Sequence, residues 1–278
     1  MLRHAWMGHA RKGGRMAGSI RIGVGGWTYE PWEESFYPSD LKKKDQLRYS
    51  ASQLTAIEIN GTFYRTQRPE TFEAWADAVP DDFVFAVKAP RYAVNRKVLA
   101  EGAESIGRFV ESGLDRLGGK LGPILWQLPP TKKYEPEHFA AFLDLLPARA
   151  GDAALRHAVE LRHPSFEDAG AVEACRDRNV AIVLAGDSGY PLIADQTADF
   201  TYLRIMGTTE GHPLGYAPSK LDQWAERART LAAGRQPDDL PGIVPTTDAT
   251  GRDVFLFVIA GHKAANPAAA MALIERLG

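Results

Sequence analysis

Eight short apolar, β-branched runs separated by longer amphipathic stretches constrain this chain more than any other feature. The runs cover residues 20–24, 56–60, 83–88, 123–127, 157–161, 181–184, 200–205 and 254–259. Continuous apolar runs of this length read as strands buried on both faces, the habit of parallel sheets. Helical periodicity fills residues 44–54, 70–79, 105–117, 136–146, 168–178, 219–233 and 267–277, so only the sixth crossover lacks a helix. Eight strand-helix units in one chain favour an α/β fold of the TIM (β/α)8 barrel type, closed, over an open sheet. A single domain over residues 19–278 is expected, with no composition break. The Pro- and Asp-rich stretch 234–253 falls between the seventh helix and the eighth strand, on the face opposite a barrel's ligand site.

The first 18 residues carry Arg3, Arg11, Lys12 and Arg15 and no acid, without the apolar centre of a secretory signal. They read as a disordered basic extension. No apolar run approaches the roughly 18 residues that span a bilayer. A single cysteine, Cys175, excludes an internal disulfide and a thiolate cluster. These features point to a soluble, cytoplasmic protein with no membrane partner. The net charge of −2 supplies no global field for nucleic acid.

Several apolar runs end in polar residues. Val159-Glu160-Leu161-Arg162-His163 closes in an acid, a guanidinium and an imidazole, and Ile57-Glu58-Ile59-Asn60 repeats the pattern. Burying unpaired charge costs several kcal/mol, roughly, so groups delivered to strand ends must pair, reach water or meet a ligand. A barrel builds its site at those ends. The filter selects Glu58 and Glu160 as the acid-base pair, since two carboxylates in different environments can divide proton donation from acceptance. Pairing of either with Lys88 or Arg204 in a structural network explains them equally well.

Lys88, Arg162 and Arg204 offer donors from three strands and suit a phosphate or carboxylate. Asn60, Tyr64, Gln127, His163, Asp187 and His262 supply further polar groups, and Trp27 and Tyr29 sit in an aromatic first loop able to stack on a planar ligand. Gly207 and Gly261 follow the seventh and eighth strands, where many barrels hold a phosphate. Asn266-Pro267 has the form of an N-cap and first helical residue. A metal site from His163 and His262 with Glu58, Glu160 and Asp187 is the weaker reading, for no short histidine pair is present. No metal and no cofactor are expected. Gly23-Val24-Gly25-Gly26 fails as a dinucleotide fingerprint, because Thr28 replaces the third glycine.

Taken together, Gly25-Gly26-Trp27-Thr28-Tyr29, Phe36-Tyr37-Pro38, Glu58-Ile59-Asn60-Gly61-Thr62-Phe63-Tyr64-Arg65, Gln127-Leu128-Pro129-Pro130, Glu160-Leu161-Arg162-His163 and Tyr202-Leu203-Arg204 with Gly207 resemble the YecE-like family, domain of unknown function family 72. The resemblance runs from about residue 20 to the end of the chain. It implies a TIM barrel and supplies no reaction. Where many members carry an asparagine-containing segment after the eighth strand, this chain reads Val258-Ile259-Ala260-Gly261-His262. The reading that results is an enzyme using acid/base chemistry on an anionic or phosphate-bearing small molecule. Its alternatives are a nucleic-acid-binding barrel using Arg65, Arg68, Lys88, Arg91, Arg96 and Lys97, and a scaffold without catalysis.

Overall fold

The computed structural model describes residues 17–245 and 249–278. The basic segment 1–16 and residues 246–248 of the 234–253 stretch lie outside the described residues. Parallel strands follow the order of the apolar runs: β1 (Ile20–Gly25), β2 (Ala56–Ile59), β3 (Val84–Lys88), β4 (Leu121–Gln127), β5 (His157–Glu160), β6 in two segments (Ala181–Ile182 and Leu184–Gly186), β7 (Phe200–Ile205) and β8 (Asp253–Val258). Each pairs with its neighbour, and β1 pairs with β8. The sheet closes through β6. Its first segment pairs with β5 and its second with β7, while the Val183 amide between them still donates to Val159 O at 2.9 Å. The nine strand segments therefore make eight staves of a TIM-type barrel.

Helices Gln46–Gln53, Pro69–Asp77, Ala103–Val110, Pro136–Asp144, Ala169–Arg176, Pro218–Ala232 and Asn266–Leu277 fall where the 3.6-residue periodicity places them. Two details differ from expectation. The run 105–117 breaks after Val110, because Gly113 turns left-handed (φ 107°) and the chain continues as a 3-10 segment, Leu114–Lys120. Asn266 does not cap the last helix. It is the first helical residue, and its side chain turns back to Thr208 Oγ1 (2.7 Å) and Ala260 O (3.2 Å). The sixth crossover, between Gly186 and Phe200, contains no helix, as its sequence suggests.

Strand side chains alternate between two apolar layers. Ile57, Ile59, Phe85, Val87, Ile124, Trp126, Val159 and Leu203 face the helices in the larger core. Ala56, Ala86, Leu125, Ala158, Ala181, Phe200, Tyr202, Phe255 and Phe257 form a second cluster, the filling of the bore. Two positions further along the same staves come Glu58, Lys88, Gln127, Glu160 and Arg204. The period-two alternation that sends alanine and leucine into the lower bore thus delivers each of these polar groups to its upper end.

Candidate functional site

At the upper end of the bore, the Arg204 guanidinium is the hub. Its Nε donates to Glu58 Oε2 at 3.0 Å, its Nη2 to Glu58 Oε1 at 3.1 Å, and its Nη1 to Glu160 Oε1 at 2.6 Å. Tyr202 Oη donates to Glu58 Oε2 at 2.8 Å, Arg162 Nε to Glu160 Oε2 at 2.9 Å, and Gln127 Nε2 to the same Glu160 oxygen. Glu58 and Glu160 are fully buried and Arg204 nearly so. Each carboxylate has three donors, which offsets the cost of its desolvation. Burial drives the Glu160 pKa up, but Arg204, Arg162 and Gln127 outweigh it and hold the group below its ordinary value. Burial opposes the charge of Arg204, yet the two glutamates raise its pKa beyond the usual guanidinium value. Tyr202, sealed in the bore beside Glu58, is raised well above the ordinary phenol value, chiefly by desolvation.

Lys88 differs from these groups. It is 8% exposed, and its Nζ lies 4.2 Å from the centroid of the Phe63 ring. No carboxylate or carbonyl among the described residues accepts a hydrogen bond from it. Burial and then the repulsion of Arg204 lower its pKa to about 8, against the attraction of Glu58 and Glu160. Its backbone is fixed, because the buried Thr62 hydroxyl donates to Lys88 O at 2.7 Å and ties the loop after β2 to the end of β3.

A cleft of about 340 Å3 opens directly above Lys88 and Arg204. Its walls come from three loops. Tyr29 and Trp32 stand at the end of β1, ring centroids 5.6 Å apart and nearly perpendicular. Asn60 and Tyr64 follow β2, with Tyr64 72% exposed at the rim. Ala260, Lys263 and Asn266 follow β8, and Lys263 Nζ lies 5.6 Å from the Tyr29 ring. Gly25 leaves room here, since a Cβ on it would stand 2.7 Å from Asn60 Nδ2.

Of the residues selected from sequence, Tyr29, Asn60, Tyr64, Lys88 and Arg204 line this cleft, and Glu58, Gln127, Glu160 and Arg162 form the network beneath or beside it. Five are placed elsewhere. Trp27 packs edge-on against Trp75, 5.2 Å between centroids, in the outer core. His163 accepts from Ser165 N at 3.1 Å and so caps the 3-10 turn Pro164–Phe166. Asp187 holds Trp224 Nε1 at 2.7 Å and Lys220 Nζ at 3.0 Å. The Gly207 amide, expected as a phosphate donor, is taken by Tyr216 Oη at 2.8 Å. His262 anchors its loop through its backbone amide, bonded to Thr208 O, and its side chain does not line the cleft. Among the described residues no three His, Cys, Asp or Glu side chains are grouped as a metal site. Arg96, one of the basic residues of the nucleic-acid reading, donates to Tyr92 O and to Ser105 Oγ on the Ala103–Val110 helix.

Tyr202, Trp32, Lys263 and Asn266 belong to the site and were not selected from sequence. Tyr202 carried a signal, for it stands two residues before Arg204 on the same stave. The other three reach the cleft only through the conformation of their loops.

The model of a protein family of unknown function, DUF72, matches residues 21–278. The chain belongs to the DUF72 family. The UPF0759 protein YecE of Escherichia coli K12 is 27% identical over 164 residues, which are 58% of this chain and 55% of that protein. The match thus spans about half the length of this curated relative. Among solved structures, a DUF72 protein from Thermotoga maritima MSB8 superposes with a TM-score of 0.68 at 20% identity, covering 92% of this chain and 97% of that one. A DUF72 protein from Enterococcus faecalis V583 gives 0.68 at 18% identity, covering 93% and 95%. At these identities the structural likeness shows the fold of the DUF72 chain and leaves its chemistry to be argued from the cleft.

No helix among the described residues of this DUF72 protein is long and apolar enough to cross a membrane.

Proposed function

We propose that this DUF72 protein is an enzyme that holds a small anionic molecule at the mouth of its barrel and moves a proton with Lys88. One observation carries the reading. Lys88 is nine-tenths buried, faces the cleft and has no acceptor among the described residues, while the Arg204 charge beside it is committed to two carboxylates. Two acids, Glu58 and Glu160, stand against three bases, Arg204, Arg162 and Lys88, so the mouth keeps a surplus positive charge. A buried cation without a partner is costly, and a phosphate or carboxylate in the cleft supplies the partner.

The carboxylates then have a role other than proton transfer. Both are fully buried and saturated with donors, so they fix Arg204 and set the field around Lys88 as positioning residues. Lys88 is the cleft-lining group whose pKa, about 8, lies near neutrality.

Titration calorimetry with inorganic phosphate and with lactate tests the reading. Saturable binding that weakens at least about ten-fold in Lys88→Met, roughly the cost of one charge-assisted hydrogen bond, supports it. Equal affinity in wild type and a folded Lys88→Met protein would remove Lys88 from the site.

A further inference from the structure

The walls and floor of the cleft contain no carboxylate and no imidazole among their described residues. Glu58 and Glu160 lie below it at zero exposure and cannot touch a bound molecule without leaving Arg204. Reactive groups that face the ligand are therefore the Lys88 amine and, at the rim, the Tyr29 and Tyr64 hydroxyls and Lys263. Lys88 is the buried one of these groups, and its backbone is held by the bond from Thr62 and by the Ala89 amide donated to Leu125 O at 2.9 Å. Lys88 lines the cleft, and its Nζ stands 4.2 Å from the centroid of the Phe63 ring.

We infer that Lys88 captures the carbonyl carbon of a small carbonyl-bearing anion, an oxo acid or a phosphorylated aldehyde, as an imine on its Nζ. This rests on the anion-binding reading above and names the electrophile that the same site takes. A lysine amine is a nucleophile only when neutral. Burial and the neighbouring guanidinium bring the pKa to about 8, so at neutral pH the free-amine fraction exceeds that of an ordinary lysine on the order of a hundred-fold.

The step balances without an oxidant or reductant. The neutral amine adds to the carbonyl carbon, a C–N bond forms, and the carbonyl π pair moves to oxygen. One amine proton passes to that oxygen, a second proton from solvent at the cleft mouth completes water, and loss of that water leaves the C=N iminium. Amine, carbonyl compound and one proton thus give iminium and water. The iminium carries the same single positive charge as the ammonium, so the Glu58 and Glu160 carboxylates face an unchanged charge. Once formed, it withdraws electrons from the bonds to the adjacent carbon, the route by which a lysine lowers the barrier to proton abstraction there.

The full chain is incubated with glyoxylate, pyruvate or glycolaldehyde phosphate at about pH 7.5, where an amine of this pKa is partly free, together with sodium cyanoborohydride. Peptide mass mapping then locates the reduced adduct. The expected result is an adduct on Lys88 from at least one probe, about ten-fold or more above that on the rim lysine Lys263, as a neutral amine is the nucleophile, and slowed by excess lactate, which has no carbonyl. Lys88→Arg keeps the charge and abolishes the adduct while phosphate still binds, and thermal unfolding verifies that it folds. If no probe labels Lys88 above Lys263 but lactate and phosphate bind, the imine is overturned and the anion site stands. If neither labelling nor binding occurs, both fall.

Discussion

Arg204 and Glu58 meet through two parallel hydrogen bonds of 3.0 and 3.1 Å, end to end across the bore from β7 to β2. A bidentate guanidinium-carboxylate pair fixes orientation as well as distance. With Glu160 on the third nitrogen, the hub joins the second, fifth and seventh staves.

Removing the hub should leave Glu58 buried without a paired cation and Glu160 with Arg162 alone. Arg204→Leu is expected to lose about 3–5 kcal/mol of stability, read from urea unfolding. Adding Glu58→Gln and Glu160→Gln to the same chain should recover a large part of that loss. No recovery would show that Arg204 acts through packing alone.

Lys88→Met should be more stable than the parent at neutral pH. The folded pKa of Lys88, about 8, lies below its value of 10.5 in the unfolded chain. A depressed folded pKa means that the unfolded state binds the proton more readily. Stability linked to this group is therefore complete above 10.5, falls as pH drops toward 8 and stays low beneath it. The shift corresponds to a penalty on the order of 3 kcal/mol. The advantage of Lys88→Met in urea midpoint should be present at pH 7 and shrink steadily as pH approaches 10.5.

His157 should contribute to acid sensitivity. Its Nδ1 accepts from Trp126 Nε1 at 3.0 Å, and Nε2 faces Pro147 O at 2.8 Å. Indole can only donate, so Nδ1 is unprotonated and the ring neutral. Burial lowers its pKa, against a rise from the Pro147 carbonyl. The unfolded state therefore takes up the proton first, and unfolding free energy should decline as pH falls below about 6.5. His157→Gln should flatten that part of the pH profile, and an unchanged slope would assign it to other groups.

Two glycine substitutions should act in opposite directions. At Gly23 a Cβ would lie 1.9 Å from the Ala56 carbonyl oxygen, so Gly23→Ala must push β1 from β2 at a cost of about 1–3 kcal/mol or more. At Gly107, inside the Ala103–Val110 helix, a Cβ meets nothing within 4 Å. Gly107→Ala should raise stability by about 0.5–1 kcal/mol. Differential scanning calorimetry of the pair resolves both signs.

The strand count and its order could be read directly, because apolar runs bounded by turn residues have few other uses in a chain of this charge. Even the missing sixth helix left a visible gap in the periodicity. Strand-end polarity also located Glu58, Lys88, Gln127, Glu160 and Arg204, whose convergence follows from the period-two pleat. Loop residues were harder. His163 and His262 look like ligands in the sequence, yet one satisfies a backbone amide and the other holds a turn by its own amide. Trp27 and Trp32 are five residues apart in one aromatic loop, and only the fold decides that the first enters the outer core while the second walls the cleft. No local rule sorts such residues, since their direction depends on contacts hundreds of positions away, as with the Trp32 indole donating to Lys263 O at 2.8 Å.

The cross-bore bridge of Glu58, Arg204 and Glu160 makes the base of the pocket stiff, while Tyr29, Tyr64 and Lys263 belong to connections, the parts of a fold that tolerate change in length and composition best. Under the proposed function, anchoring and selectivity fall to separate parts of the molecule. Descendants of one ancestral barrel could keep an identical seat for the charged head of a metabolite and still diverge in the tail they admit.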